Sequence, residues 1–233
     1  MKIDLFLGGP QGRWALAATP KDALGAIYTW DADIARTAAM LGAQIAFQGH
    51  QYEGLARGDV GFSVHYPKIL RPEFISHYRK IYNIHPGYLP YGRGMYPVFW
   101  ALWEQTPAGA TLHEIDAGID TGPIIDQIQV RYDISDTGKT LHDRIMKVER
   151  KLFSRYCPQI IADTMPPGKP QAEEGTYHSK ADFYAVKEQS KLGRMRGKTL
   201  IRLIMALSFP GYTGLHARLG DKLFELACRE LPL

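Results

Sequence analysis

The chain has 233 residues, with 28 Lys and Arg against 24 Asp and Glu for a formal net charge of +4. Its 45% apolar and 22% charged residues are ordinary for soluble proteins, which excludes disordered and fibrous classes and leaves one globular domain with or without a small appendage. No apolar run approaches the ~20 residues that cross a bilayer, and MKIDLFLGGPQG lacks a long apolar stretch followed by a cleavage site, so a cytoplasmic protein with no membrane partner is expected. Cys157 and Cys228 lie far apart without CxxC spacing, which argues against a disulfide framework or zinc site; two reduced, partly buried cysteines and no metal are the expectation. The local basic cluster KLGRMRGK at 191–198 suits an anion or a solvated face equally well.

In chain order, Lys2 to Gly8 reads as a buried strand closed by Gly8-Gly9-Pro10. GGPQG is neither GxGxxG nor the start of a P-loop, so nucleotide binding at that first turn is not supported. Leu24 to Tyr28 reads as a strand, Asp31 to Leu41 as a helix capped by Asp31 or Asp33, and Ala43 to Phe47 as a third strand. Asp59 to Tyr66 and Lys80 to Ile84 follow as strands, with a helix over RPEFISHY between them. MYPVFWALWEQ has helical spacing, GATLHEID reads as a strand, Gly118 to Pro123 as a turn, and Ile124 to Tyr132 as a strand. Thr140 to Ala162 reads as one long amphipathic helix that closes the main domain. This alternation predicts an α/β fold: a Rossmann-like, mostly parallel sheet with helices on both faces, plus a small C-terminal subdomain. The Pro- and Gly-rich DTMPPGKPQAEEG places the boundary near Pro166, dividing the chain into 1–166 and 167–233. Beyond it, Lys198 to Leu207 reads as a helix, FPGY as a turn and Leu215 to Ala227 as a hairpin around Gly220-Asp221.

Chemistry concentrates in two places. In NIHPGYLPYGRGMYPVFWA, Asn83 and His85 sit two apart at the end of an apolar strand and share a face. The carboxyl end of such a strand faces the ligand crevice of an open α/β sheet; alternatively, Asn83 caps a turn and His85 is a satisfied core histidine. In GATLHEIDAGIDTGPII three acids, Glu114, Asp116 and Asp120, crowd a glycine-rich turn, where solvated loop acids are the ordinary case. The residues alone do not choose among them. A glycosidase carboxylate pair leaves Asn83 and His85 without a role, His113, Glu114 and Asp116 lack metal-ligand spacing, and no GxSxG elbow is present.

Together, N-x-H-P-x-x-L-P (Asn83 to Pro90) and G-x-T-x-H (Gly109 to His113), followed seven residues later by D-x-G at Asp120, resemble the formyltransferase family. Its members act on glycinamide ribonucleotide, methionyl-tRNA or nucleotide sugars. The resemblance covers roughly Asp59 to Ile160; the short GGPQGRWALAATPK departs from the family's longer first helix. It implies 10-formyltetrahydrofolate as formyl donor and Asn83, His85 and Asp120 as the catalytic trio. Asn83 would supply an oxyanion donor, His85 would move the proton, and Asp120 would hold the imidazole's tautomer, stabilise the imidazolium and order a relay water. It also implies pterin contacts from Asp116, Ala117, Gly118 and Ile119, with His113 either a ligand contact or a structural hydrogen-bonding residue. Trp100 and Trp103, at i and i+3, read as helix core.

The wording of YLPYGRGMYP, SVHYPKIL and the tail GTYHSKADF…LIRLIMALSFPGY is most similar to the family's nucleotide-sugar enzymes. This implies a nucleotide-linked amino sugar, of the dTDP-4-amino-4,6-dideoxyglucose type used in surface polysaccharide (O-antigen) synthesis. The expected acceptor-side residues are Tyr66, Lys68, Arg93, Gly94, Met95, Lys187, Arg202 and Tyr212. Lys68, Arg93, Lys187 and Arg202 are the candidate diphosphate cations, although ordinary surface charge explains Lys187 and Arg202 at least as well. The tail leaves little room for a basic tRNA-binding domain, so no nucleic-acid partner is expected; residues 167–233 are assigned to nucleotide-sugar binding or to a homodimer contact. The alternatives are a methionyl-tRNA formyltransferase-like enzyme, a formyltetrahydrofolate hydrolase, and a non-catalytic folate or nucleotide-sugar binder.

Overall fold

The computed structural model describes residues 1–47, 58–171, 174–188, 194–209, 214–219 and 221–226. Its centre is a seven-stranded sheet made of β1 (Ile3–Leu7), β2 (Leu24–Thr29), β3 (Gln44–Phe47), β4 (Val60–Val64), β5 (Lys80–His85), β7 (Ala108–Glu114) and β8 (Ile124–Val130), in the order β3-β2-β1-β4-β5-β7-β8. The first five are parallel, and β7 and β8 add an antiparallel edge. All five residues of β1 are buried, as expected where helices or loops cover both faces of a parallel strand. Chain order reverses between β1 and β4, which puts a crevice at their carboxyl ends.

Alternation along β1 sorts the two faces. Ile3, Leu5 and Leu7 enter a core shared with α1 (Gly9–Ala18), α4 (Pro97–Glu104), α5 (Gly138–Ala162) and α7 (Gly197–Leu207), while Phe6 joins Tyr28, Phe74 and Tyr78 on the other side. Phe153 of α5 stacks on Phe62 of β4 with ring centroids 4.9 Å apart. On the opposite face Phe6 stacks on Tyr28 at 4.7 Å. Burial of this kind contributes about 25 cal/mol per Å² of apolar surface, so these two clusters carry the sheet. Cys157 is buried as a free thiol and its pKa is pushed up to about 11 by burial; Cys228 lies outside the described residues.

Local signals place the helix ends. The expected punctuation at Gly8-Gly9-Pro10 is a helix start, with Gly8 as N-cap and Pro10 in the first turn of α1, where its missing N–H costs nothing. Asp31 caps α2 (Ala32–Met40) by accepting from the Asp33 and Ile34 amides. α5 begins at Gly138, earlier than the expected Thr140, because Thr137 and Thr140 form a reciprocal capping box. The helix expected over RPEFISHY is only α3 (Pro72–Ile75), since Ser76 Oγ bonds back to the Glu73 carbonyl and the chain turns. β4 stops at Val64 rather than Tyr66 because His65 adopts φ 55.

The tail folds back to make a separate two-stranded sheet. β9 (Tyr177–His178) pairs in parallel with β6 (Arg93–Gly94), and α6 (Lys180–Lys187) follows. α7 sits at the expected place, and β10 (Leu215–Leu219) and β11 (Lys222–Leu226) form the expected hairpin; Gly220, and FPGY beyond Phe209, lie outside the described residues. β9 and α6 were not foreseen. A two-residue strand has no periodicity to read, although Ser179-x-x-Asp182 is a legible capping box. Among the described residues no helix is long and apolar enough to cross a membrane.

Candidate active site

The carboxyl end of β5 carries Asn83 and His85, and antiparallel pairing with β7 sets His113 opposite Asn83 and Thr111 opposite His85. The β7–β8 loop then brings Asp120 over them. Its carboxylate Oδ2 lies 3.6 Å from His85 Nδ1, and Oδ1 lies 3.6 Å from His113 Nε2. The four side chains line one cavity of about 510 Å³, a size suited to a small ligand.

Hydrogen bonds define the tautomers. His85 Nε2–H donates to the Gly92 carbonyl at 2.8 Å, which leaves Nδ1 as the nitrogen facing Asp120. His113 Nδ1–H donates to the Glu114 carbonyl at 2.7 Å, so its Nε2 accepts from the Asn83 amide at 3.1 Å. One Asn83 amide hydrogen is thereby used to orient the group, and the second is available to a ligand. Burial works to raise the Asp120 carboxyl, but positive charge on His85 and the Gly94 N–H, at 2.9 Å, work against it and hold the group well below the usual carboxylate range.

Tertiary contacts also distinguish the three acids. Glu114 is paired with Lys80. Asp116 Oδ1 accepts from the Gly118 N–H at 3.0 Å and Thr121 Oγ1 at 2.7 Å, closing the turn. Asp120 alone reaches the histidines. It sits at φ 55, an uncommon backbone state for a non-glycine residue, and the loop is clamped from the tail. Gln171 Nε2 donates to the Asp120 and Gly122 carbonyls, at 2.8 Å each.

Of the residues expected to contact the donor, Asp116, Gly118, Ile119 and His113 line the cavity and Ala117 does not. On the acceptor side Tyr66, Lys68, Gly94 and Met95 line it. Arg93 does not, because its guanidinium donates through Nε and Nη2 to Gln171 Oε1 at 3.1 and 2.8 Å. Lys187 and Arg202 also lie outside the lining, Arg202 near Tyr132, and Tyr212 is beyond the described residues. Sequence reading missed His65, Ile69, Leu70, Tyr177, Ser179 and Lys180, which all line the cavity. Lys68 Nζ stands 4.2 Å above the Trp30 ring, and Lys180 Nζ 5.7 Å from the Tyr184 ring. Among the described residues no group of three His, Cys, Asp or Glu is arranged to hold a metal.

Residues 49–157, which hold Asn83, His85, His113 and Asp120, match the formyl transferase family model. Over these residues the chain is similar to the formyl transferase family. Over 101 residues it is 36% identical to the dTDP-4-amino-4,6-dideoxyglucose formyltransferase of Mycobacterium tuberculosis strain H37Rv, a match that covers 43% of this chain and 43% of that protein. The chain thus aligns with less than half the length of that curated relative. Among solved structures it resembles a 4-N formyltransferase from Francisella tularensis, with TM-score 0.84 and 21% identity over 100% of this chain and 98% of that one. It is also similar to the formyltransferase PseJ from Anoxybacillus kamchatkensis, solved with UDP-4,6-dideoxy-4-formamido-L-AltNAc and tetrahydrofolate, at TM-score 0.61 and 27% identity over 79% of this chain and 88% of that one. The fold of the described residues is thus that of these solved formyltransferase structures.

Proposed function

We propose that the chain transfers a formyl group from 10-formyltetrahydrofolate to the amine of a nucleotide-linked amino-deoxysugar. The observation that carries the reading is the convergence of Asn83, His85 and Asp120 on one cavity, with the Asn83 amide and the His85 tautomer already oriented. The sugar-enzyme relatives support the acceptor class, and the dTDP-4-amino-4,6-dideoxyglucose type is the specific proposal.

In this mechanism the amine nitrogen attacks the formyl carbon while the formyl oxygen gains negative charge. The free Asn83 amide hydrogen donates to that oxygen, a contribution of the order of 10²–10³ in rate for one donor. The amine proton passes to His85 Nδ1, the nitrogen that Gly92 leaves open. Asp120, ionised throughout, stabilises the imidazolium. Cleavage of the carbon–nitrogen bond to the folate then returns the proton from His85 to the departing nitrogen, so no covalent enzyme intermediate forms. Ile69, Leu70, Ile115 and Ile119 give the cavity an apolar wall for a flat pterin ring. We assign residues 1–166 to this chemistry and 167–233 to nucleotide-sugar binding or dimer formation, in a cytoplasmic enzyme serving surface polysaccharide synthesis.

The test is formyl transfer from 10-formyltetrahydrofolate to a panel of dTDP-, UDP- and GDP-linked 3-amino and 4-amino deoxysugars, read by tetrahydrofolate release and product mass. Formylation of one sugar is expected. Release without a formylated sugar overturns the reading in favour of a hydrolase. Silence with all sugars, together with steeply salt-dependent tRNA binding, overturns it in favour of a tRNA enzyme.

A further inference from the structure

His65 occupies the carboxyl end of β4, beside the point where the order of the parallel strands reverses. Its φ of 55 lifts it out of the strand's alternation, and its ring turns to α5, where Nε2 lies 2.9 and 3.0 Å from the two carboxylate oxygens of Glu149. Glu149 is 1% exposed. Gln11 of α1 closes the remaining side, donating to Glu149 at 3.1 Å and to the Met146 carbonyl at 2.9 Å, and Arg150 donates to Gln11 at 3.0 Å. A backbone state that disfavours side chains, a buried acid and two supporting polar residues thus fix one imidazole. His65 also lines the active-site cavity, and its side chain keeps 23% of its surface exposed.

The second nitrogen has no role in this network. Among the described residues His65 Nδ1 has no hydrogen-bond partner, and it is not among the side-chain atoms sealed from solvent without one. As an imidazolium, His65 would present Nδ1–H to the cavity with its charge already balanced from behind by Glu149. Such a group is a fixed cationic donor that needs little reorganisation to meet an anionic oxygen. Burial lowers the His65 pKa, but the charge and hydrogen bond of Glu149 more than reverse this and raise it. The other titratable or charged groups around this network are His142 and Arg150, both on α5; Arg150 acts through Gln11. Arg93, meanwhile, is engaged by Gln171, and Lys187 and Arg202 stand outside the cavity lining.

We propose that His65, clamped by Glu149, is an anion-binding residue of the cavity that takes a phosphoryl oxygen of the acceptor's diphosphate. The proposal rests on the nucleotide-sugar reading for the identity of the diphosphate, and on the His65–Glu149 geometry for the residue that meets it.

The test is calorimetric titration of the full chain with inorganic pyrophosphate, dTDP, UDP, thymidine, uridine and tetrahydrofolate, across pH 6 to 9. In the wild type, pyrophosphate and both diphosphates bind more weakly as pH rises through the His65 pKa, and the nucleosides do not change. His65→Gln weakens pyrophosphate and the preferred diphosphate at least 10-fold, flattens the pH dependence and leaves tetrahydrofolate binding intact. Glu149→Gln keeps the imidazole but removes its counter-charge, so the weakening moves to lower pH. Unchanged diphosphate affinity in a folded His65→Gln protein overturns the proposal, as does an equal loss for nucleosides and diphosphates. Should His65→Gln fail to fold, an unmoved pH profile in Glu149→Gln overturns it. Wild-type protein that binds diphosphates through His65 yet formylates no amino sugar leaves the anion site standing and removes the sugar reading; transfer that is indifferent to His65 does the reverse.

Discussion

At the scale of the residue, Asn83 and His85 could be singled out because period two sets them on one face at a strand's carboxyl end, and both reach the cavity. Which acid joined them could not be read from local sequence, since Glu114, Asp116 and Asp120 share one turn; resemblance pointed to Asp120, and the contacts of Lys80, Gly118 and Thr121 supply a physical reason. His113 orients the Asn83 amide. His113→Ala is therefore expected to lower kcat at least 10-fold, about 1.4 kcal/mol of barrier, with both KM values near wild type in steady-state assays. Asn83→Ala is expected to cost about 10²–10³ in kcat, with an unchanged thermal transition. His65 gives a pH prediction for stability. Its folded pKa is raised above the unfolded value of about 6.5, so the stability that it contributes is fully present below that value and is lost as pH rises through the folded pKa. The Tm difference between wild type and His65→Gln should shrink from pH 5.5 to pH 9; a constant difference would refute the linkage.

At the scale of the element, the strap formed by β6 and β9 decides the position of Asp120. Gly94 donates its N–H to the carboxylate at 2.9 Å, and at φ 88 a Cβ placed on it would lie 2.4 Å from the His178 carbonyl oxygen. Gly94→Ala must break the strand pairing or move the strap. Its expected cost is at least about 1 kcal/mol of stability, with a fall in kcat as Asp120 loses its support, measured by denaturant unfolding and turnover on the same protein. The long strands and helices were legible because periodicity and caps are local. β9 escaped because two residues carry no period, and the end of β4 escaped because nothing in SVHY announces a left-handed His65.

At the scale of the whole molecule, the tail and the sheet share one core. Leu203, Leu207 and Leu215 are buried with α4 and α5, and Gln171 reaches back to the Asp120 loop. Truncating one buried leucine costs about 2–5 kcal/mol, against a total stability of about 5–15 kcal/mol for a protein. A chain ending at Pro166 would lose all of these contacts and is expected to show no cooperative thermal transition by calorimetry. By itself the sequence determined the α/β class, most elements and the two motifs, because these depend on spacing over a few neighbouring residues. Only the tertiary structure decided which cations reach the cavity, that Arg93 is engaged by a glutamine 78 residues away, and that His65 meets Glu149 across 84 residues. Those outcomes depend on how distant segments approach one another, and local spacing carries no record of that approach.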